Sequence, residues 1–141
     1  MQTKRIVWHL AAFAFLSSLS AHGLPAQTVV GAMGLLQTGH RDEAISSLIA
    51  ISNSGGIEGD YATCSMHFYG LGKANNFSIA FKYCKNAAEA GQSDAQFVVG
   101  SLYENGAGVA LDLLKAASWY MKSLKQGNLY AGHNLGVMYY E

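Results

Sequence analysis

GSLYENGAGVALDLLKAASWYMK, residues 100–122, holds the end of one helix, a loop and most of a second helix. A run of apolar and small residues reaches Glu104-Asn105, where Gly106 and Gly108 break it. Asp112 is a good N-cap, and residues 113–126 carry apolar side chains at helical spacing with lysines between them. Gly127 then stands where a left-handed residue would close the helix. Upstream, Ser93 or Asp94 can cap a first helix over residues 94–104. The stretch therefore predicts a hairpin of helix A, 94–104, and helix B, 113–126.

The hairpin recurs. Ala44, Ala80 and Ala116 lie 36 residues apart, as do Gly55, Gly91 and Gly127. The same offset relates Gly70 to Gly106, Gly72 to Gly108, Ala95 to Ala131 and Gly100 to Gly136. It also relates Tyr83 to Trp119, Leu102 to Met138 and Tyr103 to Tyr139. Agreement at one offset on this scale identifies an array. The preceding unit has helix A near 60–69 and helix B near 77–90, with Asn76 at the capping phase of Asp112. Residues 28–38 and 42–53 form a shorter hairpin through Gly39-His40-Arg41, and residues 129–140 begin a further helix A. Single hairpins cannot bury their apolar face, so neighbours stack, with small residues where backbones approach. The expected fold is all-α: a right-handed superhelical solenoid of antiparallel helix pairs with a repeat of 36 residues.

Composition agrees with one small unit of this kind. The chain has 141 residues, nine basic against nine acidic, one proline and sixteen glycines. Only 13% of residues are charged, which argues against a nucleic-acid groove, and 50% are apolar, which argues against disorder. Lys4 and Arg5 precede the apolar run 6–19, whose length suits a signal peptide and is short for a membrane span. Ala21-His22-Gly23 supplies small residues for cleavage, with Ala26 as a second site. Residues 1–23 are thus expected to be a signal peptide, the only membrane contact anticipated. Its removal takes two basic residues and leaves a weakly acidic protein in a periplasmic or secreted, oxidising setting.

The quoted stretch closely resembles the Sel-1-like repeat family. That pattern is carried by Ala95, Val99-Gly100-Ser101-Leu102-Tyr103, Gly106-Ala107-Gly108-Val109, Asp112, Lys115-Ala116 and Trp119-Tyr120. His133–Tyr140 restarts it, so the specific match covers residues 95–140. Residues 59–91 match more loosely, with Cys64 for the Gly, His67 for the Tyr and Cys84 for the second aromatic. The hairpin at 28–55 looks more like a tetratricopeptide unit. The resulting division is 24–57 tetratricopeptide-like, 58–92 a degenerate repeat, 93–128 a full repeat and 129–141 a partial one. The resemblance implies an α/α solenoid that holds protein partners, with no shared reaction; no cofactor is expected, and no metal, since His40, His67 and His133 lack metal-ligand spacing.

The resemblance also bears on the cysteines. Cysteine-rich members of the family join helix A to helix B, at what would be the phases of Gln96 and Leu124 here. Cys64 falls at the phase of Gly100 and Cys84 at that of Tyr120, a pair with the same index sum. The implied Cys64–Cys84 disulfide would close a loop of about 20 residues and contribute about 3 kcal/mol. Two reduced, buried thiols are the alternative.

Catalytic motifs are missing: no Gly-x-Ser-x-Gly, His-Glu-x-x-His, Walker loop or Ser-x-x-Lys occurs. The last omission matters because some cysteine-rich members have been associated with β-lactam binding or hydrolysis. His40, His67 and His133 read as surface or turn residues. Lys82, Lys85, Lys115, Lys122 and Lys125 give the B helices a basic outer face, solvated or turned to an acidic partner or anionic surface. Tyr69, Tyr103, Tyr139 and Tyr140 lie on or at the ends of A helices. Tyr103 and Tyr139 read as core, while His67 and Tyr140 are the candidate partner contacts. The final helix A would expose apolar residues, fitting either a fragment of a longer array or an edge covered by self-association or a partner. The functional expectation is a non-enzymatic exported scaffold in envelope signalling, secretion or host contact. A cell-wall role, binding or hydrolysing β-lactams or peptidoglycan fragments, is the alternative.

Overall fold

A computed structural model describes residues 28–71 and 74–140. The expected signal peptide, Gly72 and Glu141 lie outside the described residues. Among those described there are seven helices and no strand: α1 Val29–Gln37, α2 Arg41–Ser54, α3 Gly56–Tyr69, α4 Phe77–Glu89, α5 Ser93–Asn105, α6 Leu113–Lys125 and α7 Leu129–Tyr140. Each packs on the helix before and after it, giving an all-α solenoid. The A helices are α1, α3, α5 and α7; the B helices are α2, α4 and α6. Helix α1 also touches α3, and α3 touches α5, so the A helices form the tighter, inner row.

The two central hairpins repeat bond for bond. Leu71 N–H donates to the Met66 carbonyl and Asn76 N–H to that of His67; one unit later Ala107 donates to Leu102 and Asp112 to Tyr103. Gly70 and Gly106 make these folded-back loops possible, with φ of 68° and 62° in the left-handed region that closes α3 and α5. Asn76 Oδ1 accepts from Ile79 N–H and Asp112 Oδ1 from Lys115 N–H, both at 3.0 Å. Both expected caps on the B helices are therefore in place. On α5 the cap is Gln92, whose side chain accepts from Ala95 N–H, rather than Ser93 or Asp94. The chain is already helical at Ser93, whose hydroxyl turns to Ser123 instead.

Helix α3 starts at Gly56, four residues before the expected position. Gly55 and Gly56, at φ 73° and 71°, turn the chain from α2 into α3 with almost no loop. The glycine-rich run looked like a loop because close helix crossing and turn formation draw on the same residue. Gly59 is a crossing residue: a Cβ there would lie 3.1 Å from the Ile51 carbonyl oxygen.

The core follows the small-residue stripe. Ala44, Ala80 and Ala116 are fully buried at equivalent positions of the three B helices. At Gly100, α5 meets α6 so closely that a Cβ would lie 2.7 Å from the Tyr120 ring. The same pair of positions one unit earlier is Cys64 and Cys84, which are bonded, with their Cα atoms 4.9 Å apart. Tyr120 is fully buried and its hydroxyl donates to Glu104 Oε2 at 2.6 Å while accepting from Asn134 Nδ2 at 3.1 Å. Tyr103 is core as expected, edge-on to Phe81 at 5.3 Å.

Tyr139 departs from the core assignment: it is 77% exposed. The position on α6 that corresponds to Phe81 is Ala117, too small to meet the ring, and among the described residues no helix B follows α7. For the same reason nothing lies within 4 Å of where a Gly136 Cβ would be, whereas Gly100 is abutted.

Two stability tests follow from this contact. Gly100→Ala forces the buried Tyr120 ring to move and is expected to lower unfolding stability by about 1–3 kcal/mol in urea. Cys64→Ser/Cys84→Ser should cost about 3 kcal/mol relative to the oxidised protein, and reducing agent should cost the parent a similar amount. No change on reduction would show that the cross-link constrains nothing.

Candidate protein-binding surface

Charge is sorted between the two rows. No A helix carries Lys or Arg; their charged residues are Glu58 and Asp60 on α3 and Asp94 and Glu104 on α5. The B helices carry Arg41, Lys82, Lys85, Lys115, Lys122 and Lys125 against Asp42, Glu43 and Glu89. The inner row is thus acidic and rich in tyrosine: Tyr61 and Tyr103 are buried, while Tyr69, Tyr130, Tyr139 and Tyr140 reach the surface at least in part. Tyrosine presents an apolar ring and a polar tip, which suits surfaces that hold a partner through both.

Asp94 is the chemically distinctive member. Asn128 Nδ2 donates to its Oδ1 at 3.1 Å, and Gln92 Nε2 approaches Oδ2 at 3.4 Å. Asn128 meanwhile accepts from the N–H groups of Tyr130 and Ala131 at 3.1 Å, fixing the start of α7. Neither ion pair among the described residues involves Asp94: they join Lys85 to Glu89 and Lys115 to Asp112. Burial raises the Asp94 carboxyl from 3.8 to about 6, against the two side-chain hydrogen bonds that favour its charge. Tyr61 and Tyr69 are both raised, first by burial and then by the nearby Asp94 charge. A desolvated carboxylate beside tyrosines is thus built into the inner row at the joint between units.

The predicted contact residues fall apart from this cluster and from each other. Tyr140 is 95% exposed on the last turn of α7. His67 lies in the last turn of α3, two A helices away, and is only partly exposed. Its backbone carbonyl accepts from Asn76 N–H. His40 and His133 are exposed, and His40 Nδ1 is 2.9 Å from Thr38 Oγ1. Among the described residues no group of three or more His, Cys, Asp or Glu side chains is arranged to hold a metal, and no helix is long and apolar enough to cross a membrane. Sequence reading missed the role of Asp94 because it saw only a candidate cap. Its partner Asn128 lies 34 positions away, so the bond between them forms only when the units stack.

Comparison with known proteins agrees with this architecture. Residues 57–92 and 93–128 each match the Sel1 repeat, together just over half of the chain. The crystal structure of a Sel1 repeat protein from Oxalobacter formigenes is similar at 25% identity and a TM-score of 0.62, over 78% of this chain and 45% of that one. A protective antigen of uropathogenic Escherichia coli strains, displaying an SLR fold, is 28% identical with a TM-score of 0.66, over 81% of this chain and 25% of that one. Residues of this chain are also 34% identical over 59 positions to a chitin synthase regulator of Malassezia restricta. That match spans 42% of this chain and 4% of the regulator, so this chain is much shorter than any of these three relatives.

The state of Asp94 has a measurable pH signature. A carboxyl raised from 3.8 to about 6 on folding binds its proton better in the folded chain, so its charge penalises the fold above that window. The penalty lifts as pH falls through 6 towards 4. The stability of the parent relative to Asp94→Asn should therefore rise from pH 7 to pH 4, by up to about 3 kcal/mol. Parallel thermal melts of the two proteins measure it; an unchanged difference would mean that the carboxylate is solvated.

Proposed function

The chain belongs to the Sel1 repeat family, whose members are typically non-catalytic scaffolds for protein interactions, and on that premise we propose that it is an exported adaptor binding a protein partner along its inner row. The observation that carries this reading is the sorting of charge: an A row with four acids, no Lys or Arg, and a series of tyrosines. Such a row favours a partner segment bearing lysine or arginine, since cations complement both the carboxylates and the tyrosine rings. Asp94 adds a desolvated carboxylate at the centre of the row, and Tyr140 adds a fully presented ring at its far end.

Export, to the periplasm or outside the cell, is supported by the basic-then-apolar pattern of residues 4–19 and by the Cys64–Cys84 bond. The fitting roles are envelope signalling, secretion or host contact. Two of the relatives are named as a regulator and a protective antigen, names that fit a protein working through contact with others.

A photoreactive amino acid placed at Glu58 or Tyr140 should give a protein adduct of defined mass in living cells, and one at Ser118 on the outer row should not. Adducts from Ser118 alone would place the partner on the other side. Cell fractionation should find the chain outside the cytoplasm, lacking Lys4 and Arg5 and with both cysteines resistant to alkylation. A cytoplasmic chain with an intact N-terminus and two free thiols would overturn the exported reading.

A further inference from the structure

The outward face of α6 carries side chains that the solenoid does not use. Ala116, Tyr120 and Ser123 bury the inner side of this helix. On the opposite side Leu114 is 86% exposed and Met121 38%, with Ser118 and Lys125 between and beyond them on one stripe. Leu111 and Leu113, at the entry to the helix, are 62% and 51% exposed. Lys115 and Lys122 flank the stripe, and no acid lies on the helix. Asp112, at the N-cap, is the acid nearest in sequence, and it pairs with Lys115 at 3.0 Å. Lys122 Nζ sits 4.1 Å from the centre of the Trp119 ring, and on the neighbouring B helix Lys82 lies over Tyr83 at 5.5 Å.

The tips of Leu111 and Leu114 belong to one unit and not to the repeat, whereas Leu113 takes the phase of Phe77, which packs against the core. The positions of Leu111 and Leu114 are held one unit earlier by Asn75 and Ser78, and that of Met121 by Lys85. On α2 the position of Leu114 is Asp42. Stacking therefore does not call for leucine there.

We propose that the outward face of α6 seats on an anionic phospholipid surface, with Leu111, Leu114 and Met121 entering the interface and Lys122 and Lys125 meeting the headgroups. The face is the exposed ridge of an outer-row helix, so it offers no groove for a partner helix. Aliphatic tips beside flexible ammonium groups match a lipid interface, where lysine stems lie along the apolar layer and their charges stay with phosphate. The excess positive charge selects a negative surface. This site is separate from the acidic inner row, and its test does not depend on what that row binds.

Trp119 flanks the site beneath Lys122, and with the signal peptide and its Trp8 removed it is the remaining tryptophan and serves as reporter. In the exported form, without residues 1–23, vesicles of phosphatidylglycerol with phosphatidylcholine should shift Trp119 emission, and brominated lipid should quench it. The signal should disappear on pure phosphatidylcholine and in high salt. Lys122→Glu/Lys125→Glu and Leu111→Ser/Leu114→Ser should each weaken it about tenfold or more. Circular dichroism should show all variants folded, because every altered side chain is exposed. Absence of quenching, equal quenching on neutral lipid, or quenching indifferent to both double substitutions would overturn the proposal. So would a Trp119 response to an acidic peptide but not to vesicles, which would make the face a protein site.

Discussion

The structure depends on how closely helix A can lie against helix B within a unit. In the unit of α5 and α6 the distance is set by a missing Cβ: Gly100 gives its space to the ring of Tyr120. In the unit of α3 and α4 the same two positions are Cys64 and Cys84, and a covalent bond holds what van der Waals contact holds elsewhere. One geometric requirement is met by two chemistries. Everything stacked on these hairpins, including the buried alanines of the B helices, presumes that spacing.

Much of this was legible in the sequence because the repeat encodes it redundantly. Caps at Asn76 and Asp112, left-handed glycines at Gly70, Gly106 and Gly127, and the alanine stripe all recur at one offset, so each position supports the others. What escaped the sequence lies at places where the offset fails. Gly55 and Gly56 look like a loop, yet they make a turn so tight that α3 begins immediately. Tyr139 shares the phase of the buried Tyr103 but is exposed, because Ala117 stands where Phe81 packs against Tyr103. Asp94 reads as a cap, yet in the folded chain it is a largely buried carboxylate tied to Asn128 of the following segment. Periodicity reports what neighbouring units share; the surface that distinguishes this protein consists of what they do not.

The sorting of charge follows from the same architecture. A and B helices bury different proportions of their surface, so they leave different positions open to variation. Helix α5 is buried along nearly its whole length from Ala95 to Tyr103, and its carboxylates stand near its two ends. Helix α6 keeps a broad outer face, and its lysines populate it. Two surfaces of unlike chemistry thus result on opposite sides of one thin layer, available to different ligands at once.

The hydroxyl of Tyr120 gives to Glu104 on α5 and takes from Asn134 on α7 while its ring belongs to α6. One oxygen atom therefore fixes the angle at which the third helix follows the first two. In an array built by repeated addition, a small error at each junction grows with every unit added. A shared polar atom at the junction removes rotational play that apolar contacts alone would tolerate. The curvature of the array at this joint is in that sense written in a hydrogen-bond geometry.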